Sequence, residues 1–190
     1  KPDAAHVLIE AENIVPMNER DLLRVRHKFG MLFQSAALFD SMTVAENVGF
    51  AFRRDRSLAE KEVRQKVAEV LDMVDLTGTD AKKPSELSGG MRKRVGLARA
   101  IIYHPQIVLY DEPTTGLDPI VSDSIDKLIL RVRDRLDVTT VVVTHDMRSA
   151  RRLGQRIMML HNQRIYATGT PDEIFNSQDP VVRRFIEGVS

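Results

Sequence analysis

Two adjacent carboxylates follow a compact apolar run in "IVLYDE", where Asp111 and Glu112 come directly after Ile107 to Tyr110. Such a run is typical of a buried parallel strand. Ligands of open α/β sheets bind beyond the carboxyl ends of their strands, so both acids lie where a ligand is expected. One can hold Mg²⁺, directly or through water, and the other can orient and deprotonate a water. Two solvated acids after a core strand are the alternative that this pair alone leaves open.

Two other predicted strands also end in polar side chains. His145 ends the β-branched run "TTVVVTH", and Gln34 ends the apolar run "FGMLFQ". A histidine there can donate a hydrogen bond to a phosphate oxygen. An amide can both ligate a cation and position water, as phosphoryl-transfer sites require. Taken alone, a histidine after a strand is more often structural, and the amide is unremarkable.

A serine and two glycines precede a basic, apolar-striped segment in "ELSGGMRKRVGLARA", which runs from Glu86 to Ala100. If Ser88 caps a helix, Gly89 and Gly90 leave its first N–H groups bare and allow close approach to the backbone. The helix dipole then favours an anion at this end. An ordinary capped helix with a glycine-rich start explains the stretch as well when it stands alone.

The bulk composition limits the class of protein. A length of 190 residues suggests one domain, and 43% hydrophobic with 29% charged residues is expected for a soluble globular protein. The net charge of +1 gives no global field that draws the chain to nucleic acid or anionic lipid. The lack of cysteine excludes disulfides and fits a reducing cytosol. No signal peptide or membrane-length apolar run occurs, so we expect any role at a membrane to be peripheral.

The order of the predicted elements indicates an α/β fold with a mainly parallel sheet, because apolar strands alternate with amphipathic helices. A mostly helical segment from about Ala36 to Pro84 interrupts the alternation and is predicted to be an inserted subdomain. Within it, the capping-box signatures "TVAE" and "SLAE" predict helix starts at Thr43 and Ser57. Gly78 is predicted to end the second of these helices.

Gln34, "LSGGM", "IVLYDEPTTGLD" and "TH" occur in one fixed order along the chain. In that order they resemble the Q-loop, the signature motif, the Walker B motif with its catalytic glutamate and D-loop, and the H-switch of the ATP-binding cassette (ABC) ATPases. The resemblance covers residues 1–190 as a single domain and implies a P-loop NTPase-type fold. It also implies a helical subdomain at 36–100 that carries the signature motif. Residues 101–190 are then expected to form the rest of the catalytic core and a C-terminal helix.

The resemblance implies a role for each motif residue in a site that binds ATP and Mg²⁺. Asp111 would hold the metal, and Glu112 would polarise the attacking water. His145 would contact the γ-phosphate of ATP. Gln34 would ligate the metal and link metal and water to the contact with a permease.

Other motif residues are implied to act between the two subunits of a homodimer. Asp118, in the D-loop, would join the subunits across their interface. Ser88, Gly89 and Gly90 would grip the γ-phosphate of an ATP molecule held by the other subunit. The signature motif would therefore be half of a composite site.

Two longer stretches narrow the resemblance within the family. "MLFQSAALFDSMTVAENV" and "SELSGGMRKRVGLARAI" are similar to the ATPase subunits of the Mla and other MCE-associated lipid transporters. This implies an integral-membrane permease and an MCE-type lipid-binding protein as partners, on the cytoplasmic face of a bacterial inner membrane. Other ABC transport ATPases, and a pseudo-ATPase that only binds a partner, are the alternatives. The short spacing from Gln34 to Ser88 leaves no room for the coiled coil of ABC repair proteins, so no nucleic-acid partner is expected.

The phosphate-binding GxxxxGK[ST] motif of this family does not occur in the 190 residues, because none of the ten glycines is followed by lysine. The opening "KPDAAHVLIEAENI" resembles the segment just after that motif in relatives, with Pro2 and Asp3 in its turn. We therefore expect the P-loop and its strand to lie upstream of Lys1, in a protein of which this is an amino-terminally truncated form. A missing core strand is expected to leave apolar surface exposed. The intact carboxylate pair makes a degenerate ATPase the less favoured alternative.

Overall fold

The computed structural model describes residues 5–55 and 57–188, so Pro2 and Asp3 lie outside the described residues. The strands in this part of the chain are β1 (Leu8–Ile9), β2 (Glu12–Asn13), β3 (Phe29–Leu32), β4 (Ile107–Asp111), β5 (Thr139–Val143), β6 (Ile157–His161) and β7 (Arg164–Gly169). The α-helices are α1 (Glu19–Arg26), α2 (Val44–Asp55), α3 (Glu60–Met73), α4 (Gly89–Ile101), α5 (Pro119–Leu136), α6 (Met147–Leu153), α7 (Pro171–Phe175) and α8 (Pro180–Glu187).

The main sheet is parallel and has the strand order β3-β4-β5. Its register pairs Leu32 with Tyr110, and Asp111 with Val143. The middle strand is the most buried, and the side chain of Tyr110 is 1% exposed. Because all three strands run in the same direction, their carboxyl ends meet at one edge. The predicted α/β fold with a parallel sheet is confirmed.

Two antiparallel hairpins, β1–β2 and β6–β7, accompany this sheet. Asn162 and Gln163 connect β6 and β7, and both have positive φ angles, 48° and 63°. Positive φ at both central residues is what a two-residue hairpin turn of type I′ requires, and the twist of such a turn matches that of the strands.

Polar side chains fix several of the helix starts that the sequence predicts. Thr43 opens α2 with a complete capping box, in which Glu46 N–H donates to Thr43 Oγ1 and Thr43 N–H donates to Glu46 Oε2, at 3.2 and 2.7 Å. Asp118 caps α5, and its Oδ1 accepts two backbone N–H groups of the first turn at 3.0 Å. These bonds satisfy donors that a helix start otherwise leaves without partners.

The predicted start of α3 at Ser57 is wrong. The backbone N–H of Ser57 donates to the carbonyl of Phe52 at 3.3 Å, so this residue closes the end of α2. Helix α3 begins two residues later than expected, after Ala59. Glu62 Oε2 accepts the N–H of Ala59 at 2.9 Å and supplies the acidic half of the cap.

The predicted end of α3 at Gly78 is also wrong. The helix ends at Met73, and the chain leaves it through Asp75, which has a φ angle of 57°. This left-handed residue lets Leu76 N–H reach a carbonyl five residues back at 2.8 Å, the bond that closes many helices. Arg94 of α4 holds the carboxylate of Asp75 at 2.6 Å.

One apolar core extends from the sheet into the helices that follow β3. The apolar face of α3 and its C-cap lies within it, and each member is at most 3% exposed: Val63, Val67, Val70, Leu71 and Val74. Leu32 of β3 and Val108 of β4 belong to the same cluster. Helices and sheet therefore share one core. The division of the chain into residues 36–100 and 101–190 stays a prediction. Among the described helices, none is both long and apolar enough to cross a membrane.

Candidate active site

The side chain of Glu112 lies just beyond β4 and contacts His145, which follows β5. His145 Nδ1 is 2.8 Å from Glu112 Oε1, and the backbone N–H of His145 donates to the same oxygen at 3.1 Å. Thr115 Oγ1 donates to the other oxygen, Oε2, at 2.8 Å. Both carboxylate oxygens are therefore held, and the side chain of Glu112 is still 18% exposed. The structure brings together two of the residues that the sequence predicts to be catalytic.

The backbone of Glu112 is strained and is held on both sides. Its φ angle is +47°, a conformation that costs a non-glycine residue about 1–3 kcal/mol. Its N–H donates to the carbonyl of Val143 in β5 at 2.9 Å. Its carbonyl accepts Nζ of Lys93 in α4, also at 2.9 Å. These bonds fix the point at which the chain leaves the sheet.

Lys93 is a residue of this site that sequence reasoning missed. The lysine is 5% exposed, and burial lowers its pKa although the charges of Glu112 and Asp111 act in the opposite direction. Lysine in a helix is almost never fully buried, so its residue type predicts exposure. The helical period, by contrast, predicts that Lys93 is buried. It lies three residues after Gly90 and four before Leu97, on the buried side of the helix.

The contact between Glu112 and His145 shifts both pKa values. Burial acts to raise the pKa of Glu112, but the hydrogen bonds from His145 and Thr115 outweigh it, so that the pKa is lowered. The hydrogen bond to Glu112 and the charge of that carboxylate raise the pKa of His145. Because the pKa of the acid is lowered and the pKa of the base is raised, the pH range in which both side chains are charged becomes wider.

We expect this pair to stabilise the fold most between about pH 4.5 and 6.5, the ordinary pKa values of the two groups. The contribution of His145, whose pKa is raised, is complete below its ordinary value and is lost as the pH rises through its folded value. The contribution of Glu112, whose pKa is lowered, is present above its ordinary value and is lost as the pH falls through its folded value. Melting temperatures of the wild type and His145→Gln should differ most in this window. A difference that does not vary with pH would contradict the pairing.

Asp111 ends β4, and Gln34 lies two residues after the end of the neighbouring strand β3, so the predicted strand end at Gln34 comes two residues earlier, at Leu32. Asp111 is the last residue of β4 and is half-buried, whereas Gln34 is exposed in the turn after β3. Magnesium ions in proteins are usually held by one or two carboxylates together with substrate phosphates. The donor set at this edge therefore fits Mg²⁺ in company with a bound phosphate. The roles of Asp111 and Gln34 as metal ligands stay predictions.

Ser88 caps α4, as the sequence predicts. Its Oγ accepts the N–H of Met91 at 3.3 Å, and the first turn of the helix contains no acidic residue. The positive end of the helix dipole is therefore left for an anion. Among the described residues, no hydrogen bond joins Ser88 to Glu112 or His145.

Gly89 and Gly90 also have a packing role that the sequence does not reveal. A Cβ atom added to Gly90 would lie 2.6 Å from Val121 Cγ1 in α5, too close for real atoms. One added to Gly89 would lie 3.1 Å from Leu117 Cδ2. The glycines therefore allow the start of α4 to approach the first turn of α5 and the loop before it, besides leaving its backbone N–H groups open.

Asp118 is exposed, and its carboxylate is engaged in capping α5. This cap fixes the direction in which the loop before α5 leaves the sheet edge. The predicted contact of Asp118 with a second subunit stays a prediction.

Arg99, near the end of α4, fixes the turn that follows Gln34. Its guanidinium donates to the carbonyls of Ala36 and Ala37 at 2.8 and 2.7 Å. Both alanines have positive φ angles, 61° and 46°. Helix α4 therefore holds the turn after β3 through Arg99 and the backbone beyond β4 through Lys93.

Comparison with known proteins identifies the family. Residues 1–115 match the family model described as "ABC transporter". The chain belongs to the ABC transporter family. The fold of this ABC protein agrees: the dimeric ATP-binding cassette MJ0796, solved in a post-hydrolysis state with ADP and Pi, is similar with a TM-score of 0.80 and 31% identity, over 90% of this chain and 75% of that one.

Two curated relatives of this ABC protein are similar along nearly the whole chain. It is 39% identical over 188 residues to the "Probable ribonucleotide transport ATP-binding protein mkl" of Mycobacterium leprae, covering 99% of this chain and 54% of the relative. It is 39% identical over 189 residues to the "Intermembrane phospholipid transport system ATP-binding protein MlaF" of Haemophilus influenzae, covering 100% of this chain and 72% of the relative. The chain thus spans about half the length of the mycobacterial relative. The predicted resemblance to MlaF-like ABC ATPases is confirmed.

Proposed function

We propose that this ABC protein hydrolyses ATP and thereby drives phospholipid transport across a bacterial envelope. The observation that carries the hydrolysis is the carboxylate of Glu112, held at 2.8 Å by His145 where three parallel strands end. The observation that supports the substrate is the likeness to MlaF, whose name states phospholipid transport.

Glu112 has the properties of a general base for water. Its lowered pKa keeps it ionised near neutral pH, and its two oxygens are oriented by His145 and Thr115. A base must lie within hydrogen-bond reach of the proton that it takes, and the open sheet edge gives water that access. Proton acceptance by Glu112 leaves a hydroxide-like nucleophile for attack on a phosphate.

His145 is suited to bind the phosphate that is attacked. A carboxylate can only accept hydrogen bonds, so Nδ1 carries the hydrogen that faces Glu112. The raised pKa of His145 then favours the form in which Nε2 carries a hydrogen as well. The His145 side chain is 72% exposed, which leaves this second donor open to a phosphate oxygen.

Asp111 and Gln34 are the residues that would hold Mg²⁺ at this edge. When bound together with ATP, the ion neutralises charge on the β- and γ-phosphate oxygens. The chain's own contribution is the placement of a carboxylate at the end of β4 and an amide just after the adjacent strand β3, with Leu32 paired to Tyr110 just behind them.

A groove between β5 and β6 is suited to hold a strand that leads to a phosphate-binding loop. In the described residues, β5 pairs with β4 alone and β6 pairs with β7 alone. Both strands line a cavity of about 850 Å³ with exposed apolar side chains, among them Val143 and Leu160. Two unpaired edges that face one apolar groove are a template for a further strand. We propose that a strand from outside these 190 residues enters here and brings a phosphate-binding loop to the same sheet edge as Glu112.

The proposed assembly is a homodimer of this protein with an integral-membrane permease and an MCE-type lipid-binding protein. Its place is the cytoplasmic face of the inner membrane. The dimeric structure of MJ0796 supports the homodimer, and the start of α4, which Ser88 caps and whose first turn contains no acidic residue, fits a signature motif that binds a phosphate held by the other subunit. The membrane partners rest on the likeness to MlaF.

The proposed function is tested with the full-length protein, purified with its membrane partners and placed in phospholipid vesicles. We expect ATP hydrolysis that moves a fluorescent phospholipid between vesicle and acceptor, and no uptake of a labelled ribonucleotide. Ribonucleotide uptake without lipid movement would mean that the transported substrate is a ribonucleotide, as the name of Mkl states. A wild type without hydrolysis would overturn the enzymatic proposal itself.

A further inference from the structure

We infer that Lys93 is a positioning residue for Glu112: its ammonium group holds the carbonyl of that residue and so sets where the catalytic carboxylate lies. This inference rests on the proposed ATPase function. It adds a link between the signature helix and the general base within one subunit.

The geometry makes the carbonyl of Glu112 a sensitive point. The Cα atom of Glu112 lies between an N–H anchored to Val143 and a carbonyl anchored to Lys93, each at 2.9 Å. With a φ angle of +47°, this conformation persists only where the surroundings enforce it. Release of the carbonyl lets the residue relax toward an ordinary backbone conformation, which rotates the side chain away from His145.

The burial of Lys93 is hard to explain by stability alone. The lysine is 5% exposed, and among the described residues its ammonium donates to one neutral carbonyl, that of Glu112, while the carboxylates of Glu112 and Asp111 lie near enough to act on its charge. Removing an ammonium group from water is costly, and an apolar side chain of similar length would fill the same space without that cost. A role in fixing Glu112 accounts for a cation at this position.

The place of Lys93 on α4 gives the contact a further consequence. Lys93 lies five positions after Ser88, which is about 7.5 Å along a stiff helix. In the proposed dimer, the start of α4 meets the ATP of the other subunit while Lys93 holds Glu112 at the ATP of its own subunit. A displacement of α4 at one ATP site therefore moves the base of the second.

The test replaces Lys93 by methionine, which keeps the length and removes the donor, in the full-length protein. We expect kcat for ATP hydrolysis to fall about 10- to 100-fold, since displacement of a catalytic group by about 1 Å has effects of this size. The KM for ATP should change less than twofold, and Lys93→Arg should restore part of kcat. Arg94→Met is the matched control, because the adjacent Arg94 bonds Val74, Asp75 and Ser124 and does not reach Glu112. It should lower the melting temperature and leave kcat within twofold.

The outcomes separate this inference from the proposed function. If the wild type hydrolyses ATP and Lys93→Met retains its kcat, or loses it only in proportion to the folded fraction, the positioning role is overturned while the ATPase remains. A crystal structure of Lys93→Met gives a readout independent of activity. We expect the contact of Glu112 with His145 to be broken there. An unchanged 2.8 Å contact with φ still near +47° would refute the inference even if the wild type proved inactive.

Discussion

Glu112→Gln in the full-length protein should retain ATP binding and lose nearly all turnover. The amide keeps the shape of the side chain and can still pair with His145 and Thr115, but it cannot take a proton from water. General-base catalysis contributes about 10²–10⁴-fold, so kcat should fall by that factor while the Kd for ATP stays within a few-fold. Calorimetry with ATP and Mg²⁺, together with phosphate release, measures both quantities.

The matched control for this substitution is Glu69→Gln, the same chemical change on the exposed face of α3. It should leave both ATP binding and turnover unchanged. Hydrolysis by Glu112→Gln at close to the parent rate would mean that the base is another group. The contact with His145 would then be a structural ion pair at the end of the sheet.

Mixed dimers should show that Ser88 acts on the ATP held by the other subunit. Ser88→Arg removes a hydrogen bond to a charged phosphate, worth about 1.5–3 kcal/mol, and also places a bulky cation at the start of α4. In a dimer with Ser88→Arg on one subunit and Glu112→Gln on its partner, both lesions fall in one composite site. The second site stays whole, so about half of the wild-type hydrolysis should remain.

The reciprocal dimer, with both substitutions on one subunit and a wild-type partner, should be almost inactive, because each composite site then contains one lesion. Differently tagged subunits, purified through both tags in succession, give the two arrangements. More hydrolysis in the dimer that carries both lesions on one subunit would contradict a grip in trans. It would place Ser88 in the same ATP site as Glu112 of its own chain.

The features that sequence predicted correctly depend on short-range patterns. The apolar runs before Gln34, Glu112 and His145 identify strands without reference to the rest of the chain. The caps at Thr43 and Ser88 lie within three residues of the groups that they bond. Local hydrogen bonds and periodicity are sufficient for such elements, and parallel pairing then brings their ends together.

The features that sequence missed depend on partners far along the chain. Lys93 reaches a carbonyl 19 residues away, and Arg99 reaches carbonyls 62 and 63 residues away. No pattern of residue types in the sequence predicts which backbone carbonyl will accept a hydrogen bond from a distant side chain. The error at Ser57 has a related cause: the bond from its N–H back to Phe52 ends one helix before the next begins. A capping signature does not reveal that the same residue also closes the preceding helix.

The register of the sheet has a consequence for chain entropy. Pairing of β3 with β4 joins Phe29 to Ile107, whereas pairing of β4 with β5 joins Ile107 to Thr139. The first closure spans more than twice as many residues, which costs about 0.8 kcal/mol more in loop-closure entropy. Helices α2 and α3 lie inside this loop, and their hydrogen bonds are local. They remove much of the freedom of the loop on their own, so β3, the strand that precedes Gln34, owes its place to these helices as well as to the sheet.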